Sequence, residues 1–219
     1  MTRGEAGRLA AGFREAFREA LSTFDEPSLL RLRGELQVAS RWLADHKDHE
    51  RAEAAERTLQ AVSRLYAFTV EIRGFSGSRQ AAETASLFDL GSVGVLSLEN
   101  VLTSDKITPM RLLMSGLAEG LMFLASRQYV RGGNVVLEST YRGHILGLQD
   151  ELWSVAMEFR EREGLEAIRD ARAKIDDVFR QLDDPAVPVP AKVAVLELLY
   201  ALVVLVRGVK LLEALESAG

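Results

Sequence analysis

Residues 190–215, PAKVAVLELLYALVVLVRGVKLLEAL, decide the fold. Between Val193 and Val206 the one charged side chain is Glu197, so a helix here lacks the polar face that a half-exposed surface helix shows. A bilayer span needs about 18 to 20 apolar residues. Glu197 interrupts this run, and Lys192 and Arg207 bound it. The segment therefore reads as a helix buried by other chain or by an oligomer interface, and a membrane span is disfavoured.

The rest of the chain supplies what would bury it. In residues 3–24, Leu9, Phe13, Phe17, Ala20 and Phe24 recur at helical spacing among arginines and glutamates. Asp25-Glu26-Pro27-Ser28 stops that helix and caps the next, in which Leu29, Leu32, Leu36, Ala39 and Leu43 form a seam. The pattern then either continues through His46 or breaks around Asp45 to Asp48. It resumes over 50–72 and gives way to a loop at Gly74-Phe75-Ser76-Gly77-Ser78. Short helices are expected over 78–90 and 95–102. Thr108-Pro109 opens a helix to about Val130, ending at Gly132-Gly133, in which Gly116 and Gly120 permit a close helix approach. Asn134 caps the longest helix, with Tyr141, Ile145, Leu148, Leu152, Val155 and Phe159 spaced four, three, four, three, four. A kink or new helix is expected near Gly164, and the proline-rich linker 183–190 leads back to the apolar helix.

The expected fold is all-α: a single-domain bundle of six to eight helices over residues 1–219, built around a buried C-terminal helix. Composition agrees, since 47% hydrophobic and 27% charged residues describe a globular chain and not a disordered one. A net charge of −5, with arginines interleaved among glutamates, gives no strong signal for nucleic acid. The absence of cysteine excludes a disulfide framework, a thiolate zinc site and a cysteine nucleophile. The N-terminal residues run straight into a charged amphipathic pattern unlike a secretory signal, which points to a cytoplasmic protein.

Candidate chemistry concentrates in Asp45-His46-Lys47-Asp48-His49-Glu50-Arg51-Ala52-Glu53. On a continuous helix, His46 and Glu50, or His49 and Glu53, share a face one turn apart, a spacing that lets imidazole and carboxylate bind one cation. A divalent-metal site would draw on His46, His49, Glu50 and His144, with Glu138 and Glu151 as further carboxylates. The bland reading is a solvated helix corner. Glu197 is either an edge residue paired with a cation or a buried carboxylate. Asp176-Asp177 and Asp183-Asp184 read as helix termination and surface charge.

Arg41-Trp42-Leu43-Ala44-Asp45-His46 is similar in its arginine-to-histidine spacing to the motif of HEPN ribonucleases, small all-helical proteins that dimerise to place two such motifs around a phosphodiester. The resemblance covers six residues. Trp42 stands where that family usually has a polar residue, and the motif comes early in the chain. What the resemblance implies is a phosphate-holding Arg41 and a His46 that assists proton transfer.

No nucleophile elbow, phosphate loop or dinucleotide fingerprint is present. The expected function is a non-catalytic, homodimeric interaction or assembly module whose partner is another protein or itself and which needs no cofactor. The alternatives are the metal-dependent bundle enzyme and the HEPN-like ribonuclease.

Overall fold

The structure, a computed structural model, describes residues 3–23, 25–75, 108–126, 138–187 and 189–217. These residues form seven helices and no strand: α1 (Arg3–Thr23), α2 (Glu26–Asp45), α3 (His49–Phe75), α4 (Pro109–Ser126), α5 (Glu138–Glu158), α6 (Arg160–Asp183) and α7 (Val189–Glu216). The short helices expected over 78–90 and 95–102, the glycines at 132 and 133 and the Asn134 cap lie outside the described residues.

α7 is the centre of the bundle. It packs against α1, α3, α4 and α5, while α2 lies on α1 and α3, and α6 lies on α4 and α5. One hydrophobic cluster runs through all seven helices. Every residue of α7 from Ala191 to Leu212 is buried except Glu197 and Lys210, which are partly exposed. Each fully buried Leu or Val contributes about 1.5–3 kcal/mol relative to its exposed state, which makes this helix the main apolar contributor to the fold. Glu197 takes the edge position, so α7 carries no deeply buried carboxylate of its own. No helix among the described residues is long and apolar enough to cross a membrane.

The periodicities translate directly into packing. The α2 seam of Leu29, Leu32, Leu36, Ala39 and Leu43 is buried, as are Phe13, Phe17 and Ala20 of α1, the α5 seam from Ile145 to Val155, and Phe159 just past the end of α5. Capping follows the sequence too: Asp25 Oδ1 accepts from Ser28 N at 2.8 Å, and Thr108 Oγ1 accepts from Arg111 N at 3.2 Å. Asp184 Oδ1 accepts from Ala186 N at 2.8 Å just past the end of α6, the termination role expected of that aspartate.

The undecided corner after α2 is a break. Lys47 N bonds Ala44 O and Asp48 N bonds Leu43 O, with Lys47 at φ 60°, which is a Schellman closure whose left-handed residue is a lysine. α3 then runs to Phe75, so Gly74 and Phe75, expected in a loop, belong to the helix. The helix expected to be the longest ends at Glu158 and is shorter in its described residues than α3, α6 and α7, and the expected kink near Gly164 appears inside α6, where that residue adopts φ 81°.

Candidate functional site

Beside their buried seams, α3, α5 and α7 carry charged and polar residues at steps of seven, and the fold brings these into register. α3 offers Arg57, Arg64 and Glu71; α5 runs the other way and offers Glu158, Glu151 and His144. Three cross-links result. His144 Nε2 lies 2.8 Å from Glu71 Oε2, Arg64 donates to Glu151 Oε2 at 2.7 Å, and Arg57 donates to Glu158 Oε1 at 3.3 Å. A seven-residue period keeps such residues on one side of neighbouring helices. α7 adds Tyr200, Arg207 and Lys210 from beneath.

At one end of this ladder, His144 Nδ1 is 3.0 Å from the Tyr200 hydroxyl, and the imidazole meets Phe68 edge-on. An ionised Glu71 accepts only, so in a neutral imidazole Nε2 carries the proton and Tyr200 donates to Nδ1. Burial of the phenol, with the charge of Glu151 adding to it and that of Arg64 opposing, pushes the Tyr200 pKa up to about 12.

The middle and far rungs are ionic. The Glu151 side chain is 5% exposed and the Arg207 side chain 9%, with Arg207 Nε 3.8 Å from Glu151 Oε1. Glu158, also largely buried, receives Lys210 Nζ at 2.9 Å and lies 3.9 Å from Arg207 Nη2. Arg57 also pairs with Glu53 at 2.5 Å. A cleft of about 420 Å³ opens here, lined by Arg57, Glu158, Arg207 and Lys210 together with Asp48, Glu50 and Arg51. Along the same lining Arg51 pairs with Asp48 and donates from Nε to Ala214 O at 2.8 Å.

No protein-family model, curated protein or solved structure matches this chain.

The residues singled out in the sequence do not converge. His46 closes α2, its ring stacked on Trp42 with centroids 3.8 Å apart and Nδ1 2.8 Å from Trp42 O. His49 and Glu50 begin α3 and are exposed. His144 pairs instead with Glu71, 22 residues further along α3, which at 1.5 Å per residue is about 33 Å from His49. One metal ion cannot draw on both ends, so the four-residue constellation of His46, His49, Glu50 and His144 is corrected: adjacency in sequence at 46–50 is not adjacency to His144 in space. The Glu138 side chain lies outside the described residues, and Glu151 is committed to arginines. Among the described residues no group of three or more His, Asp or Glu is arranged to hold a metal.

Of the pair that resembles the HEPN motif, Arg41 is exposed on α2 and His46 sits at its end. The tryptophan standing in place of that family's usual polar residue is the group that engages the histidine ring.

Glu71, Arg57, Arg64 and Glu158 went unnoticed in the sequence. The available signal was the repeat of polar residues at 57, 64 and 71, at 144, 151 and 158, and at 200 and 207.

Proposed function

We propose that this protein is a non-catalytic, cytoplasmic assembly module that works as a homodimer, and that the outward face of α2 is the contact. One observation carries the reading. α2 already buries an apolar seam, yet its opposite side presents Pro27, Leu30, Gly34 and Val38, with Leu30 43% and Val38 58% exposed. An ordinary amphipathic surface helix has one apolar stripe and a polar remainder.

The row suits self-association. A Cβ placed on Gly34 would meet nothing within 4 Å, so a second helix can approach the backbone there. Antiparallel pairing about Gly34 sets Leu30 of each copy against Val38 of the other, an isologous contact. The row from Pro27 to Val38 is about 17 Å long at 1.5 Å per residue, short enough to give a small, weak interface.

Light scattering of the purified chain over a concentration series tests it. A dimer at about 100 µM protein, a concentration that reveals even a weak complex, is expected for the natural chain. Val38→Glu and Leu30→Glu should give monomers with unchanged melting, because both side chains already face solvent. A monomeric natural chain at that concentration overturns the reading.

A further inference from the structure

We propose that the cleft between α3, α5 and α7 binds a small organic anion through an oxyanion head group, phosphate or carboxylate, held by Arg207, Lys210 and Arg57. The inference is separate from the dimer reading, since none of the residues that would hold the anion lies on α2.

Three observations combine. First, three cations from two helices converge on one carboxylate: Lys210 at 2.9 Å, Arg57 at 3.3 Å and Arg207 at 3.9 Å from Glu158. Of the other carboxylates beside them, Glu53 pairs with Arg57, and Glu151 is shared between Arg64 and Arg207.

Second, Arg207 is nine-tenths buried, and its Nε has no hydrogen-bond partner among the described residues. Its distances to both carboxylates, 3.8 and 3.9 Å, exceed hydrogen-bond length. A buried guanidinium ordinarily has its donors satisfied, and burying one without full pairing is costly. Here the residue lines a cleft.

Third, the cleft, at about 420 Å³, is within the size range of small-molecule sites. Its lining mixes Arg51, Arg57, Arg207 and Lys210 with Asp48, Glu50, Glu53 and Glu158. A lining that carries as many acids as bases disfavours large polyanions such as nucleic acid and leaves a single small head group as the fitting ligand.

Glu158 then occupies the position that the ligand's head group takes. It is a carboxylate on three cations, the arrangement an incoming oxyanion would make, and binding displaces it. A group that competes with the ligand gives a test that a purely structural ion network does not share. Removing Glu158's charge should strengthen anion binding.

Titration calorimetry and thermal unfolding of the full chain with sodium phosphate, and separately with sodium citrate, against sodium chloride at equal ionic strength would read this directly. Phosphate, citrate or both should bind and raise the melting temperature beyond the chloride control, and the pair of salts distinguishes a phosphate head from a carboxylate one. Glu158→Gln should tighten binding by about tenfold or more, the worth of one charge-assisted hydrogen bond. Lys210→Met, which removes the charge of a half-exposed side chain and keeps its stem, should weaken it by a similar factor. If both salts match chloride in the natural chain and in Glu158→Gln, or if Lys210→Met binds as well as the natural chain, the site does not exist.

Discussion

Arg64 on α3 donates a 2.7 Å hydrogen bond to Oε2 of Glu151 on α5, and the two partners sit in opposite surroundings: the arginine side chain is 52% exposed and the glutamate 5%. Removing the two should therefore have unequal consequences. Arg64→Ala deletes a cation that water can replace, and a loss of at most about 1 kcal/mol is expected. Glu151→Ala leaves Arg207 buried without its nearer carboxylate, which costs about 3–5 kcal/mol. Urea unfolding of both variants checks this. Equal losses would mean that Arg207 does not depend on Glu151.

Three glycines rank by what stands above them. A Cβ on Gly208 would lie 2.6 and 2.7 Å from Cε2 and Cε1 of Phe17, a ring buried and stacked on Phe13 with centroids 5.3 Å apart, so it cannot yield. On Gly116 the obstruction is the end of the Leu202 side chain at 2.6 Å, which has rotamers to move through. On Gly120 the nearest atoms, from Val195 and Leu198, are at 3.6 and 3.8 Å, ordinary contact. Overpacking costs about 1–3 kcal/mol, whereas alanine gains about 1 kcal/mol over glycine in a helix interior. Melting temperatures should fall most for Gly208→Ala and less for Gly116→Ala, and hold or rise for Gly120→Ala. Recovery of Gly208→Ala by a second change, Phe17→Leu, would confirm the cause.

These positions also mark what the sequence could and could not reveal. The buried α7, the leucine seam of α2 and the α5 seam were legible because each is a periodicity within one helix, and Gly116 and Gly120 announced themselves by sitting four apart in an apolar helix. Gly208 did not, because the reason for it is a phenylalanine almost the whole chain away. The ladder failed to show for the same reason: Arg64 and Glu151 are 87 positions apart, and only the antiparallel register of α3 and α5 makes them partners. The 46–53 cluster drew notice because its polar groups are consecutive, but consecutive residues at a helix corner point apart, and His144 had a partner, Glu71, that local pattern could not identify.

The corner itself was undecidable from sequence because its left-handed residue is Lys47, where glycine or asparagine is the usual signal. A non-glycine side chain in that conformation costs about 1 kcal/mol or somewhat more, partly offset in glycine by its greater unfolded-state freedom. Lys47→Gly should raise stability by roughly 0.5–1 kcal/mol in urea unfolding. Lys47 is exposed, so no lost packing should mask the gain. A neutral or negative result would mean that the turn is not closed as described.

Tyr200 provides the pH test. Its phenol is held protonated until about 12, against 10.0 for an ordinary tyrosine, chiefly because it is buried. Below pH 10 both folded and unfolded chains keep the proton, so this group adds no pH dependence. Between pH 10 and 12 the unfolded chain releases it first, and stability falls as pH rises, by up to roughly 3 kcal/mol across the window. Tyr66 is also shifted up, by burial first and by its hydrogen bond to Glu26, so absorbance of tyrosinate should show the component at about pH 12, or together with unfolding, as that of Tyr200. In Tyr200→Phe that late component should vanish, and the part of the stability loss between pH 10 and 12 that belongs to Tyr200 should vanish with it. The variant also leaves His144 Nδ1 without its hydroxyl partner, so at neutral pH it should be less stable than the natural chain by about 1 kcal/mol, the usual worth of one hydrogen bond. A component at about pH 12 that persists in Tyr200→Phe would assign that shift to another tyrosine.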